Sequence, residues 1–124
     1  MGAQENKQSA MDAYAAFSSG DAEGAMRNID DSVEWTVGGD SALTGTHDGK
    51  QAVGELFGTI GSKGFRTEPH DFIADGDKVV VLSTVSLGGE TTEVADVFTY
   101  NDAGKVVAFE SLSDPSVANR VFAR

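Results

Sequence analysis

In the stretch Glu93-Val94-Ala95-Asp96-Val97-Phe98-Thr99-Tyr100, a carboxyl group falls in step with two aromatic rings. Side chains of an extended strand alternate between faces, so Val94, Asp96, Phe98 and Tyr100 share one face. An acid aimed among aromatic side chains loses hydration when it ionises, and the neutral form becomes the cheaper state. A neutral carboxyl group can donate a hydrogen bond to a carbonyl or hydroxyl oxygen, and that makes Asp96 the leading chemical candidate. The chain has two histidines, His47 and His70, each able to act as a general base near neutral pH or to stand partly exposed and idle. Ser83, Ser111 and Ser113 are neutral polar positions that could orient a ligand, and no partnered histidine marks any of them as a nucleophile. No spacing of His with Asp or Glu suggests a metal site, and no cofactor is implied.

These residues need elements to hold them. Three segments carry helical spacing of small and apolar residues: Ala10/Ala13/Tyr14/Phe17, Ala22/Ala25/Met26/Ile29 and Val53/Leu56/Phe57/Ile60. Gly20 can end the first, Asp21 can cap the second, and Asp48 with Gln51 resembles a capping box for the third. Between the second and third lies a short alternating strand, Val33–Val37, followed by the loop Gly38-Gly39-Asp40-Ser41. After Gly64 the segments 65–74, 78–87, 91–100 and 105–113 are rich in Val, Thr and Phe and are separated by Asp/Gly turns.

The expected fold is therefore α+β, in the order helix, helix, strand, helix, four strands. A curved antiparallel sheet wraps the N-terminal helices as a cone with a pocket at its open end. The concave face should carry Asp96, Phe98 and Tyr100, then Val107, Phe109, Ser111 and Ser113, with Trp35 and Phe57 as further pocket walls. Trp35 is a core or pocket-wall aromatic able to stack on a flat ligand. The convex face, with Val97, Ala108 and Leu112, is too apolar to be left in water, which points to a homodimer through that face.

Length and composition bound the function. A chain of 124 residues suits one domain, 1–124, large enough to enclose a cavity. With 9 Lys+Arg against 20 Asp+Glu the formal net charge is −11, which disfavours nucleic acid and anionic membrane surfaces as partners. The absence of cysteine excludes disulfides, thiolate metal sites and a cysteine nucleophile. No stretch approaches the ~20 apolar residues of a membrane span, and the N-terminal residues lack a basic start followed by an apolar run, so a cytoplasmic protein is expected.

The segments ADVFTYNDAGKVVAFESL, AAFSSGDAEGAM, GTHDGKQAV and FIADGDKVVVL resemble the SnoaL-like and ketosteroid isomerase-like branch of the nuclear transport factor 2-like superfamily. The resemblance implies the cone fold and a superfamily that hosts isomerases, cyclases, epoxide hydrolases, dehydratases and non-catalytic proteins. Steroid isomerases of that branch use an aspartate base on the first strand, and an oxyanion hole made by a first-helix tyrosine and a protonated late-strand aspartate. Matching the motifs puts Asp96 on the protonated aspartate, Trp35 where the base should stand, and Ala13 on the tyrosine, with Tyr14 turned about 100° round the helix. The acid that cyclases and epoxide hydrolases carry on the last strand is matched by Ser111. An indole cannot take a proton from carbon, so steroid isomerisation is not expected. The expectation is a protein binding a small apolar carbonyl compound, with Asp96 as donor, His70 and Tyr14 as the weaker candidates for proton transfer, and isomerisation, cyclisation or dehydration as the chemistry if it is an enzyme. The alternative is a non-catalytic dimeric binding or assembly module whose cavity is filled by Trp35, Phe57, Phe98, Tyr100 and Phe109.

Overall fold

The computed structural model describes residues 2–123. Helix α1 (Ala3–Ser18) buries Asn6, Ala10 and Tyr14, one stripe at the expected spacing, and Gly20 closes it with φ of 82°. Helix α2 (Ala22–Met26) is capped by Asp21, whose side chain accepts from the Gly24 amide at 2.9 Å. The helical spacing ran on to Ile29, but the helix stops at Met26 and Ile29 instead opens strand β1 (Ile29–Val37). Helix α3 (Lys50–Gly61) buries Val53 and Leu56. Its N-cap is Gly49 at φ 93° with no side-chain cap, so the Asp48/Gln51 capping box does not form; Asp48 is drawn instead into a short strand, β2 (Gly45–Asp48). That four-residue strand lies at the sheet edge beside β1 and has no apolar alternation to betray it.

The remaining strands form the expected meander, β3 (Arg66–Asp75), β4 (Lys78–Leu87), β5 (Glu90–Tyr100) and β6 (Val106–Leu112). One six-stranded sheet results, in the order β2-β1-β6-β5-β4-β3, antiparallel throughout except where β1 lies parallel to β6. Its inner face supplies Val33, Trp35, Val79, Val81, Phe98, Tyr100 and Val106 to a core completed by Ala10 and Tyr14 of α1 and Val53 and Leu56 of α3. Among the described residues no helix is long and apolar enough to cross a membrane.

Two bulges revise the strict alternation. Between Thr99↔Ala108 and Tyr100↔Val106, strand β6 carries one extra residue, so Val106 and not Val107 joins Phe109 and Ser111 on the concave face. In β3 the ladder steps from Pro69↔Ser83 to Asp71↔Leu82, leaving His70 unpaired. Pro69 has no N–H to give, and β3 is an edge strand, where such a break is tolerated.

A fourth helix, α4 (Ser116–Val121), follows Pro115 and was not anticipated from the sequence. Its signals were local: Asp114 accepts from the Ser116 amide at 3.0 Å and from its hydroxyl at 2.5 Å, and the proline stands at the helix start. It packs so closely on two glycines that neither tolerates a side chain. A Cβ at Gly39 would lie 2.7 Å from Pro115 Cβ and 2.8 Å from Asn119 Oδ1, and one at Gly88 would lie 2.9 Å from Val121 Cγ2. Asn119 Oδ1 also accepts from the Asp40 amide at 2.7 Å, and Phe122 O accepts from the Ala42 amide at 2.6 Å.

Gly20 provides a control, since it has a similar positive φ but open space around it. Gly20→Ala should cost about 1–2 kcal/mol from backbone strain alone, whereas Gly39→Ala should cost about 1 kcal/mol more because α4 must also shift. Urea denaturation of both variants measures the difference, and equal losses would show that α4 does not bear on Gly39.

Candidate functional site

The concave face of β5 and the inward stripe of α1 meet at Asp96. Asp96 is 8% exposed, and its Oδ2 accepts a hydrogen bond from the Tyr14 hydroxyl at 2.5 Å. Ser111 stands directly opposite Asp96 in the β5–β6 ladder and supplies a second hydroxyl contact. Motif matching had put Ala13 on the tyrosine position. Ala13 does line the cavity, but the hydroxyl that reaches Asp96 belongs to Tyr14, whose ring is seated edge-on between Phe72 and Phe98, at centroid distances of 5.7 Å and 5.8 Å.

Around this pair lies a cavity of about 290 Å³. Trp35, Phe57, Phe98, Tyr100, Phe109 and Ser111 all line it, as the sequence implied. Trp35 is stacked on Phe109, with centroids 3.8 Å apart and planes 16° from parallel, so one indole face is already taken by the protein itself. Phe57 and Phe98 meet the same indole edge-on. The wall at the mouth comes from α4 and its flanks, through Pro115, Val117, Ala118 and Phe122, residues the sequence reading missed.

Three candidates fall elsewhere. His70 points to the convex face, where its Nε2 bonds the Thr84 hydroxyl and lies 3.5 Å from Glu93 Oε1; the bulge at Pro69 breaks the alternation that would have turned it inward. Ser83 is fully buried behind Tyr14 and does not line the cavity. Its hydroxyl is near enough to favour the ionised phenol slightly, yet it makes no hydrogen bond of ordinary geometry. His47 is also off the cavity wall, its Nε2 held 2.7 Å from the Leu43 carbonyl. Among the described residues no cluster of three or more His, Asp or Glu could hold a metal ion.

The electrostatics are set by what is missing. Among the described residues, no Lys, Arg or His lines the cavity. Burial raises the Asp96 pKa, and the hydrogen bonds from Tyr14 and Ser111 pull it back only in part, so the acid stays above the ordinary carboxylate range. Burial, with the neighbouring Asp96 charge and hydrogen bond behind it, also pushes the Tyr14 phenol far up, so that it remains a donor. Oδ2 receives the Tyr14 hydrogen, and the carboxyl as a whole lies on the cavity wall.

The SnoaL-like domain model matches residues 10–109, and the chain belongs to that family. Solved structures agree. An NTF2-like protein from Burkholderia xenovorans is 29% identical, with a TM-score of 0.76 over 98% of both chains. An NTF2-like protein of unknown function from Burkholderia pseudomallei is 25% identical, with a TM-score of 0.84 over 97% of this chain and 98% of that one. TerC, crystallised with polyporic acid, is 26% identical, with a TM-score of 0.84 over 97% of this chain and 99% of that one. A comparison with curated proteins gave no match.

The raised Asp96 pKa has a consequence for stability. The proton is held more tightly in the folded state, so the stabilisation is complete below the unfolded carboxyl pKa near 3.9 and is lost as pH rises through the folded value. Asp96→Asn should remove that fall while leaving stability at neutral pH unchanged or improved. Denaturation midpoints of the two proteins across acid and neutral pH test this, and parallel curves would show that the acid is ionised in the fold.

Proposed function

We propose that this protein binds a small, mostly apolar molecule inside the cone, with the protonated Asp96 donating a hydrogen bond to a ligand oxygen. The observation that carries this reading is a buried acid on a cavity wall with a tyrosine donor behind it and no cation beside it. Ionised, such an acid would be uncompensated; protonated, it is a directed donor in a low-dielectric site. The cavity speaks against the filled-module alternative, because the aromatic cluster leaves about 290 Å³ open, near the lower end of ligand-site sizes. TerC, crystallised with polyporic acid, supports a small-molecule role for a related fold.

If turnover occurs, its chemistry is acid-assisted. A ligand carbonyl hydrogen-bonded by Asp96 is polarised toward isomerisation, cyclisation or dehydration. Proton abstraction by a side chain has little support, since Trp35 occupies the first-strand position and His70 faces the opposite side of the sheet. Binding is therefore the primary activity proposed.

We also propose that a second copy covers the convex face. Leu112 is 54% exposed there, with Leu82 and Ile73 exposed as well, and Ala95 and Val97 beside them on β5. An exposed apolar face of a sheet is poorly suited to water.

Trp35, the chain's single tryptophan, reports on the cavity directly. Titration with para-acetylbiphenyl should change its fluorescence, Asp96→Ala should weaken that binding about 5–10-fold, and Asp96→Asn, which keeps a donor, should weaken it less. Unchanged affinity in Asp96→Ala would remove the proposed contact. For assembly, Leu112→Glu would bury a charge twice per dimer and should shift sedimentation toward monomer; a wild-type monomer at micromolar concentration would contradict the covered face.

A further inference from the structure

The cavity has a second polar station that the Asp96 pair does not use. Tyr100, Ser9 and Asn28 line its wall at the end away from α4, where β5 finishes and α1 begins. Asn28 Nδ2 donates to Ser9 Oγ at 2.8 Å, which fixes that hydroxyl, and Ser9 in turn hydrogen-bonds the buried Tyr100 phenol. Burial raises the Tyr100 pKa, so the phenol keeps its proton.

The spacing of the two stations follows from the elements that carry them. Asp96 and Tyr100 are four residues apart on one strand face, about 13 Å along β5. Ser9 and Tyr14 are five residues apart on α1, about 7.5 Å along the helix. The stations are therefore on the order of 8–13 Å apart. Phe98, Val106, Leu56 and Trp35 form the wall between and beside them and carry no acceptor for a ligand hydroxyl. The cavity is walled by the rings of Trp35, Phe57, Phe98 and Phe109, surfaces that suit a flat apolar middle.

Resting on the pocket reading given above, we propose that the ligand is a neutral, flat, elongated molecule of two or three rings, with an oxygen acceptor placed at Asp96 and a hydroxyl or carbonyl oxygen at the other end held by Tyr100 and Ser9. Neutrality follows from the wall, which offers a carboxylate or phosphate no cationic partner, on a chain whose net charge is −11. Both ends being polar and the middle apolar is a pattern the two stations impose together, and neither would impose it alone.

Three ligands separate the claims by calorimetry: para-acetylbiphenyl, the same ketone carrying a hydroxyl at the far para position, and biphenyl carboxylate. The hydroxylated ketone should bind about 5–10-fold more tightly than the plain ketone, the gain of one net hydrogen bond. Tyr100→Phe removes only a hydroxyl, and both it and Ser9→Ala should abolish that advantage, read as the ratio of the two ketones' affinities within each variant. The carboxylate should bind at least about tenfold more weakly than the plain ketone, as expected for an ion desolvated without a partner. Equal affinity for the two ketones, or an advantage that survives in both variants, overturns the second station. Tight carboxylate binding overturns neutrality. Loss of both ketones in Asp96→Ala, with the hydroxyl advantage intact in wild type, reports on the Asp96 contact, and binding of neither ketone by the wild type removes the pocket and this inference together.

Discussion

A single curved sheet with helices on one side has a concave face that must be filled by helix or left as a void. Here α1 and α3 fill part of it, with Ala10, Tyr14, Val53 and Leu56 set against Val33, Val79, Val81 and Phe98. What they do not fill is the cavity. The side chains at the centre of that face are taken out of water whether apolar or not, and Asp96 is taken with Phe98 and Tyr100. The hydrogen bond between Tyr14 and Asp96 is the polar tie across this layer on which the site is built. It ties α1 to the sheet and gives the buried acid a partner without giving it a counter-charge.

That distinction decides the chemistry. A lysine or arginine beside Asp96 would have held it ionised and made the pocket a salt-bridged core. Among the described residues the positive groups instead lie off the cavity wall: Lys78 bonds Thr99 on the convex side, Lys105 bonds the Arg27 carbonyl, and Arg120 of α4 pairs with Glu90. Held protonated in an aromatic cavity, as proposed above, such an acid would be a directed donor to a ligand oxygen.

The mouth is governed by different forces. Helix α4 is short and adds no fully buried residue of its own, yet Phe122 just beyond it is buried and the flanking loops bond to it through backbone amides. Close contact with Gly39 and Gly88 lets six residues act as a wall, because a backbone without Cβ atoms allows the helix to sit almost on the chain beneath it. The volume open to a ligand is thus set at one end by the Tyr100 station and at the other by a segment anchored on glycines.

Much of this was legible in the sequence because it depends on periodicity. The stripe through Ala10 and Tyr14, the alternation through Asp96, Phe98 and Tyr100, and the turns at Gly76, Gly88 and Gly104 are repeated local signals, and they carried the α+β cone and the acid on its inner face. Tertiary structure decided whatever depended on a departure from a period or on a distant partner. One extra residue in β6 exchanged Val107 for Val106, and one at Pro69 turned His70 outward. Strand β2 exists only because β1 offers it an edge to pair with. Tyr14 rather than Ala13 meets Asp96 because the packed chain brings β5, 82 positions further on, to that side of α1. Local patterns fix which side chains share a face; only the packed chain fixes which faces meet, since register shifts and long-range contacts cost the sequence a single residue and leave its periodicity otherwise unchanged.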